Sequence, residues 1–326
     1  MHRPWPLVGR QREVELVAGL LAGGGRPAVI IAGQAGVGKS WLASECLAEA
    51  ERRGMATSRV KASQAGRGLP FGALVPLLPG STGPSSEPAD MLWRARDAIV
   101  GLGKGRPLAL LVDDAHLLDD ASATLVHQLA STRSAFVVLT VRSESPAPDP
   151  VVALWKDELA ERIDLSPLDR QSIETLLTEV LGGPVSASTL HQLSERSAGN
   201  ALYLRELVLA GLESATLAEK DGVWQLAGSP VVSSRLVELI ETRLCGVEDP
   251  ERKVLEALAF GEPLGVPCLL RLTTAEKLEE LERRGLIVTS RNGRRLDACL
   301  SHPLYGEVIR ARTPGVRRQA VLQGLA

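Results

Sequence analysis

The first half of the chain alternates short apolar runs with segments in which apolar residues recur at helical spacing. Runs of this kind are typical of buried strands in a largely parallel sheet, and the segments between them are typical of the connecting helices. The pattern therefore predicts an α/β domain over residues 1–165. Its five predicted strands lie near Ala28–Ala32, Thr57–Ala62, Leu108–Val112, Phe136–Val141 and Arg162–Leu165.

The second half of the chain has a different pattern. Between Asp169 and about Leu212 apolar residues recur at helical spacing, which predicts a helical lid over residues 166–230. Residues 231–313 are predicted to form a winged helix, and residues 314–326 the start of a further helical region. The winged-helix prediction rests on a helix, a turn, a second helix and two strands, which are Leu269–Leu272, Thr273–Thr274, Ala275–Arg284, Leu286–Thr289 and Arg294–Leu300. A segment rich in Pro, Ser and Gly, Gly80–Pro88, is predicted to be a mobile loop or a plain connector.

Composition narrows the class of protein. The 326 residues are 44% hydrophobic and 23% charged, with a formal net charge of -2, so no excess of positive charge favours bulk binding to nucleic acid or to a membrane. The four cysteines include no C-x-x-C pair, so neither a zinc site nor a disulfide framework is indicated. With no apolar stretch of signal-peptide or membrane-spanning length, we expect a cytoplasmic protein.

A phosphate-binding motif follows the first predicted strand. Residues Gly33–Ser40 match the P-loop pattern G-x-x-x-x-G-K-[ST] at every fixed position. They precede a predicted helix, which is the context that the motif requires. Its glycines would let backbone N–H groups surround a β-phosphate, Lys39 would reach the β- and γ-oxygens, and Ser40 would bind Mg²⁺. The predicted nucleotide-binding residues here are Gly33, Gln34, Ala35, Gly36, Val37, Gly38, Lys39, Ser40 and Trp41.

A second motif follows the third predicted strand. The run Leu108–Val112 ends in Asp113 and Asp114, as in a Walker B strand that delivers an acid beside the P-loop. We assign Asp113 to Mg²⁺ and Asp114 to polarising the attacking water, with a helix-capping acid as the alternative for Asp114. Arg142, which ends the fourth strand, would lie near a γ-phosphate; the alternative is a surface arginine paired with Glu144. The predicted catalytic residues are therefore Asp114, Lys39 and Arg142.

Several ordered motifs together resemble the STAND class of P-loop NTPases, and in particular the nucleotide-binding part of large LuxR-type bacterial transcription regulators. The resemblance implies that Val8, Gly9 and Arg10 contact adenine and ribose and that Pro167 packs against the base. It further implies that His302 contacts the β-phosphate of ADP, for which a histidine bonded to backbone or water is the alternative. The motifs are Leu7–Arg10, Gly33–Ser40, Leu69–Gly72, Val112–His116, Thr140–Arg142, Leu165–Leu168, Ala198–Leu204 with Ala201 where proline is usual, and Ser301–Leu304.

The resemblance also bears on cofactors and partners. It implies ATP or ADP with Mg²⁺, self-association in the ATP state, and an inducer or protein partner that the sequence does not identify. Members of this class continue into a helical repeat and a C-terminal helix-turn-helix, so we expect these residues to be the N-terminal portion of a larger regulator. No N-K-x-D motif for guanine is found, which also favours adenine.

A winged helix raises the question of DNA binding. Its second predicted helix has one lysine and two arginines against four glutamates, which opposes the neutralisation of phosphates on which DNA binding depends. We therefore expect no direct DNA binding by these residues and interpret the unit as a clamp over the nucleotide.

Three hypotheses for function follow. The first is a slowly hydrolysing nucleotide switch that ADP holds closed and ATP opens. The second is a steady-state ATPase or a small-molecule kinase, although a kinase lid rich in arginine is not evident in Arg170, Arg196 and Arg205. The third is an ADP-holding scaffold without turnover, in which Asp114 is structural.

Overall fold

A computed structural model describes residues 5–23, 25–79, 88–228, 232–293 and 295–325. The loop predicted over Gly80–Pro88 lies outside these ranges except for Pro88, which is the first residue of a helix. The chain divides into two compact units, of which the first is Leu7–Ser166 and the second is Pro167–Ala326 with Met1–Pro6. The further division of the second unit into a lid, a winged helix and a helical extension stays a prediction.

The first unit is an α/β domain in which strands and helices alternate along the chain. Short 3₁₀ turns occupy Gly66–Gly68, Val75–Leu77 and Ala115–Leu117. The helices are α1 Gln11–Leu21, α2 Lys39–Arg52, α3 Pro88–Gly101, α4 Asp120–Ser131 and α5 Asp149–Lys156. The strands are β1 Ala28–Gly33, β2 Ala56–Lys61, β3 Leu108–Asp113, β4 Phe136–Arg142 and β5 Ala160–Leu165.

The five strands form one parallel sheet in the order β2-β3-β4-β1-β5, which confirms the predicted α/β P-loop fold. Strand β4 lies between β1 and β3, so the strand that precedes the P-loop and the strand that ends in the two acids are not neighbours. At the carboxyl ends, Gly33 is in register with Arg142 on one side and with Leu165 on the other. Lys61 is in register with Asp113.

Both faces of the sheet are covered. Every residue of β1 and of β3 is buried, as expected for central strands of a parallel sheet. The alternation of side chains sends Ala28, Ile30 and Ala32 into one core cluster and Val29 and Ile31 into the other. This is why these strands have near-continuous apolar runs rather than alternating ones.

The second unit is mostly helical with two small antiparallel sheets, β6-β7 and β8-β10-β9. Its first part contains α6 Arg170–Leu181, α7 Ala187–Ser197, α8 Ala201–Glu213, β6 Leu217–Lys220 and β7 Val223–Leu226. The rest contains α9 Ser234–Leu244, α10 Asp249–Gly261, β8 Leu264–Gly265, α11 Val266–Leu269, α12 Ala275–Arg283, β9 Ile287–Asn292, β10 Arg295–Leu300, α13 Pro303–Arg312 and α14 Gly315–Leu325. Helix α11 begins and ends three residues earlier than predicted.

Several helices of the second unit begin at a residue whose side chain accepts a hydrogen bond from a free backbone N–H of the first turn. Asp169, Ser186, Asn200 and Ser233 do so for α6, α7, α8 and α9 respectively. Helix α13 packs against α7, α9 and α10, and so connects the earlier helices of this unit with the later ones.

Among the described residues, no helix has both the length and the apolar content that a membrane span requires.

The burial of the cysteines leads to a prediction. Burial, with a smaller contribution from the charge of Glu45, raises the pKa of the Cys46 thiol to about 12, whereas Cys245 and Cys268 are exposed. Because the thiolate is the reactive form, we expect iodoacetamide at about pH 8 to modify Cys245 and Cys268 in the native protein and to leave Cys46 unmodified. Peptide mass spectrometry measures this, with urea-unfolded protein as the control in which Cys46 reacts. Rapid native labelling of Cys46 would contradict the described core.

Candidate nucleotide-binding site

The predicted P-loop connects β1 to α2 at the carboxyl edge of the sheet, where ligands of parallel α/β proteins commonly bind. Gly33, Gly36 and Gly38 have φ values of 155°, 85° and 105°, which favour glycine. A Cβ atom on Gly33 would also lie 2.9 Å from the carbonyl oxygen of Leu165. The chain can therefore turn so tightly after β1 only because this position is glycine.

Helix α2 begins at Lys39 with Gly38 as its N-cap, and no side chain caps it. The backbone N–H groups of its first turn are thus available to an anion, and the helix dipole favours negative charge there. Of the other predicted loop residues, Val37 is buried in the core, while Ala35 and Trp41 are partly buried.

Lys39 is buried, and its ammonium group donates hydrogen bonds to the carbonyl oxygens of Gly33, at 2.9 Å, and Gln34, at 2.7 Å. No described carboxylate forms an ion pair with it within 4.0 Å. Burial lowers the pKa of Lys39 to about 8, although the charges of Glu144, Asp114 and Asp113 act in the opposite direction. A buried cation held only by carbonyl groups is suited to an anionic partner, and a phosphate chain supplies one.

Asp113 and Ser40 lie together beside this lysine. The Ser40 hydroxyl donates to Oδ1 of Asp113 at 2.8 Å, and the hydroxyl of Thr140 donates to the same oxygen at 2.6 Å. Burial raises the pKa of Asp113, but these two hydrogen bonds and the charges of Lys61 and Arg59 outweigh it, so the pKa is lower than usual. Asp113 is therefore an anion at neutral pH, adjacent to a hydroxyl oxygen.

These residues fit Mg²⁺ in the way that P-loop proteins bind it. Mg²⁺ is usually bound by one or two protein oxygens together with phosphate oxygens and water rather than by a cage of protein ligands. Ser40 and Asp113 offer two such oxygens side by side. In the part of the chain that the structure describes, no group of three or more His, Cys, Asp or Glu could hold a metal ion alone.

Asp114 has a φ of 56°, a left-handed conformation that is unusual for a residue other than glycine. Its backbone N–H donates to the Thr140 hydroxyl at 2.8 Å, which holds the turn after β3. Its carboxylate is 3.5 Å from Nζ of Lys61 and 3.9 Å from Nε of Arg142. The structure thus brings two of the three predicted catalytic side chains, Asp114 and Arg142, within 3.9 Å of each other.

The predicted adenine and ribose motif reaches the same edge of the sheet. Arg10 is buried, and its guanidinium donates to the carbonyl oxygen of Ser166, directly after β5, and lies 3.5 Å from Glu13. This contact places Arg10 at the end of β5, which is the neighbour of the strand that leads into the P-loop. The contact of Val8, Gly9 and Arg10 with a base stays a prediction.

Two cations of the site were missed from the sequence, Arg59 and Lys61 on β2. Arg59 lies 3.4 Å from Asp113, and Lys61 pairs with Asp114. Alternate residues of one strand point to the same face, so the i, i+2 spacing of two cations was a possible signal. It could not be used, because the sequence does not show that β2 pairs with β3.

Pro167 belongs to the second unit. It adjoins the Ala198–Asn200 turn, where the N–H of Leu168 donates to the carbonyl oxygen of Gly199 at 2.8 Å. A Cβ atom on Gly199 would lie 2.8 Å from Cβ of Pro167, so the close approach requires glycine. Two motifs of the resemblance therefore contact each other. The packing of Pro167 against a base stays a prediction.

His302 also belongs to the second unit, where it is buried as the N-cap of α13. Its Nδ1 accepts from the N–H of Leu304 at 3.2 Å, and its Nε2 lies 2.8 Å from the carbonyl oxygen of Ser197. The ring also packs edge-on against Tyr203. These contacts fit the alternative of a backbone-bonded histidine, and a contact with a β-phosphate stays a prediction.

The comparisons with known proteins agree on the nature of the first unit. Residues 6–141 match the family model of the AAA ATPase domain. No curated protein matches the chain. Together with the geometry above, this match identifies a nucleotide-binding P-loop ATPase domain of the AAA type.

Solved structures with the same fold share little sequence with this chain. A Walker-type ATPase of Pyrococcus abyssi has a TM-score of 0.62 at 16% identity, over 93% of this chain and 96% of that chain. The ORC1 protein of Aeropyrum pernix, solved in complex with DNA, has a TM-score of 0.50 at 16% identity, over 97% of this chain and 95% of that chain. At such identities the similarity shows the fold alone.

The environment of Lys39 predicts the effect of removing its ammonium group. We expect Lys39→Ala to weaken binding of a fluorescent ATP analogue by about 10- to 100-fold, because a charge-assisted hydrogen bond to phosphate is lost. Fluorescence titration measures the affinity. Lys156→Ala, which removes an exposed lysine at the end of α5, should bind as the wild type does. Unchanged affinity in Lys39→Ala would refute the assignment of the P-loop.

The environment of His302 predicts how stability depends on pH. Burial lowers its pKa from the usual 6.5, assisted by the charge of Arg243 and opposed by the hydrogen bond to Ser197. The unfolded chain then takes up a proton before the folded one does, so the stability is complete above about pH 6.5 and is lost as the pH falls below it. Asparagine at this position can still cap α13 but does not titrate.

We therefore expect the wild type to lose more unfolding free energy than His302→Asn between about pH 7 and about pH 5. Urea unfolding at each pH measures this. His191→Asn, which replaces an exposed histidine in α7, should behave as the wild type does. Equal pH slopes for His302→Asn and the wild type would contradict the buried, neutral state of His302.

Proposed function

We propose that this chain is an ATP- and ADP-binding, slowly hydrolysing switch module of a LuxR-type transcription regulator of the STAND class. The observation that carries the nucleotide part of the proposal is the 2.8 Å contact between Ser40 and Asp113, beside the buried ammonium of Lys39. These are the groups that a triphosphate with its Mg²⁺ requires. Mg²⁺, when bound, would neutralise charge on the β- and γ-oxygens.

The surroundings of Asp114 support slow hydrolysis. A carboxylate that orients an attacking water needs a free oxygen directed at it. Here one oxygen faces Lys61 and the other faces Arg142. A water would have to approach the carboxylate beside these two cations, which favours slow turnover over rapid hydrolysis.

The order of elements in the second unit supports a winged-helix interpretation for its later part. Helix α10, strand β8, helices α11 and α12, and strands β9 and β10 follow one another, and the three strands form one sheet. Helices α6, α7 and α8 fit the helical lid that was predicted before it.

The charges of α12 favour a structural role over DNA binding. Lys277 pairs with Glu248 at 2.9 Å and with Glu251 at 3.4 Å, and Arg283 pairs with Glu280 at 2.5 Å. Arg284 donates to the carbonyl oxygen of Cys245 at 2.7 Å. Helix α12 has four glutamates against Lys277 and Arg283, so it presents no net positive charge to phosphates, and we propose that DNA binding lies outside these residues.

As a switch, the module would be held closed by ADP and opened by ATP into a form that associates with other copies. Each nucleotide can shift this equilibrium only by the difference in its affinity for the two forms. An inducer or protein partner would likewise shift the equilibrium only by the difference in its own affinity for the two forms.

The kinase alternative receives no support from the arginines of the predicted lid. Arg196 pairs with Glu307 at 3.2 Å, and Arg205 pairs with the buried Glu206 at 3.1 Å, both within the second unit. A steady-state ATPase would use the same residues of the first unit. It is therefore the alternative that the experiment below has to distinguish from the switch.

The experiment is to denature freshly purified protein and to identify and quantify the released nucleotide by chromatography. We expect ADP at close to one equivalent, because a closed module retains its nucleotide through purification. A nucleotide-free protein that hydrolyses added ATP rapidly would refute the switch and establish the steady-state ATPase.

A variant of Asp114 distinguishes slow ATP hydrolysis from the absence of ATP hydrolysis. We expect Asp114→Asn to lower phosphate release by about 100-fold or more while it retains ATP binding, because an amide cannot accept the proton. Asp120→Asn, on an exposed carboxylate in the first turn of α4, is the matched control and should hydrolyse ATP at the wild-type rate. Equal phosphate release by Asp114→Asn and the wild type would show that Asp114 is structural.

A further inference from the structure

Arg59 has no part in the function derived above, yet it contacts the acid at the centre of the site. It lies on β2, an edge strand of the sheet. Its Nη2 is 3.4 Å from Oδ2 of Asp113, and its Nη1 donates to the hydroxyl of Ser44 in α2 at 3.2 Å. The guanidinium thus connects α2 to the acid that ends β3.

With this contact both oxygens of Asp113 have partners. Oδ1 accepts from the hydroxyls of Ser40 and Thr140, and Oδ2 faces Arg59. The side chain of Asp113 is 2% exposed, so its charge is poorly hydrated and needs a cation nearby. In the part of the chain described, Arg59 is the one cation that forms an ion pair with Asp113.

A magnesium ion bound through Asp113 would have to share this carboxylate with the guanidinium. Two positive charges a few ångströms apart repel each other, and near a half-buried site the repulsion is not fully screened by water. The Arg59 side chain is 49% exposed, so it can leave the carboxylate for solvent, where it is hydrated. Asp113 cannot move in the same way, because Ser40 and Thr140 hold it from two elements.

We propose that Arg59 is the counter-ion of Asp113 when no metal is bound, and that it competes with the Mg²⁺ that accompanies the nucleotide. Two consequences follow. Arg59 raises the Mg²⁺ concentration needed for metal-assisted binding, and it supports nucleotide binding in the absence of metal, because it keeps the charge of Asp113 from repelling the phosphates. The proposal rests on the proposed function, since the metal is that of the nucleotide.

The neighbouring lysine does not duplicate this role. Lys61, two residues along the same strand, pairs with Asp114 at 3.5 Å. The charge of Lys61 also lowers the pKa of Asp113, but among the described residues only Arg59 forms an ion pair with that acid, so the two cations can be tested separately. Arg162, on the opposite edge strand β5, offers a matched control, since it is an exposed arginine paired with Asp164 at 3.0 Å.

The test is to titrate a fluorescent ADP analogue against the wild type, Arg59→Ala, Arg59→Lys and Arg162→Ala, in EDTA and at increasing Mg²⁺ concentration. In EDTA we expect Arg59→Ala to bind about fivefold more weakly than the wild type, the size expected for one partly exposed ion pair. At saturating Mg²⁺ the two should bind equally, and the half-saturating Mg²⁺ concentration should fall about fivefold in Arg59→Ala. Arg162→Ala should match the wild type throughout.

An affinity loss that is confined to EDTA, together with a lower Mg²⁺ midpoint, distinguishes competition from a structural role. If Arg59 only supported the fold, its removal would weaken binding under both conditions and would not lower the Mg²⁺ midpoint, and this result overturns the proposal. Arg59→Lys retains the charge, so we expect a midpoint close to the wild type, and a midpoint as low as that of Arg59→Ala would contradict a charge-based competition.

The two proposals fail in different ways. A wild-type protein that binds the analogue while Arg59→Ala keeps the wild-type midpoint overturns the inference and leaves the proposed function intact. A correctly folded wild type that binds no analogue at any Mg²⁺ concentration overturns both.

Discussion

The carboxylate of Asp113 is the charge on which the arrangement of the candidate site depends. A buried anion has to be hydrogen-bonded and accompanied by a cation, or it costs the fold several kcal/mol. Its partners come from three elements, Ser40 at the start of α2, Thr140 near the end of β4 and Arg59 on β2. These contacts with Asp113 therefore fix the geometry of the carboxyl edge of the sheet. The same geometry places the Ser40 hydroxyl and the Asp113 carboxylate side by side, where Mg²⁺ can use both.

The strand order makes this convergence possible. Because β4 lies between β1 and β3, Thr140 can bond both to Asp113 and to the backbone of Asp114, and Arg142 comes into register with Gly33. Cations then surround the acids at one edge. Lys39 is buried and Arg142 is half exposed, so the first charge is fixed in place, whereas the second can change its partner.

The contacts of the second unit are distributed among several residues rather than centred on one buried charge. Several of its helices begin at residues whose side chains cap the first turn, and several of its cations pair with carboxylates or backbone carbonyl groups of the same unit. Gly199 allows the Ala198–Asn200 turn to contact Pro167, and His302 uses both ring nitrogens on backbone groups. These contacts all lie within the second unit and hold its elements to one another.

The sequence by itself determined the five strands, the P-loop and the acids that follow β3, because these features are local. Apolar runs of strand length have to be buried, and a glycine-rich turn before a helix has few uses other than an anion site. Only the tertiary structure decided that β2 pairs with β3 and so brings Arg59 and Lys61 to the acids, and that Asp114 faces Lys61 and Arg142. The pairing of parallel strands depends on contacts between segments far apart in the chain, which no local pattern of residues encodes.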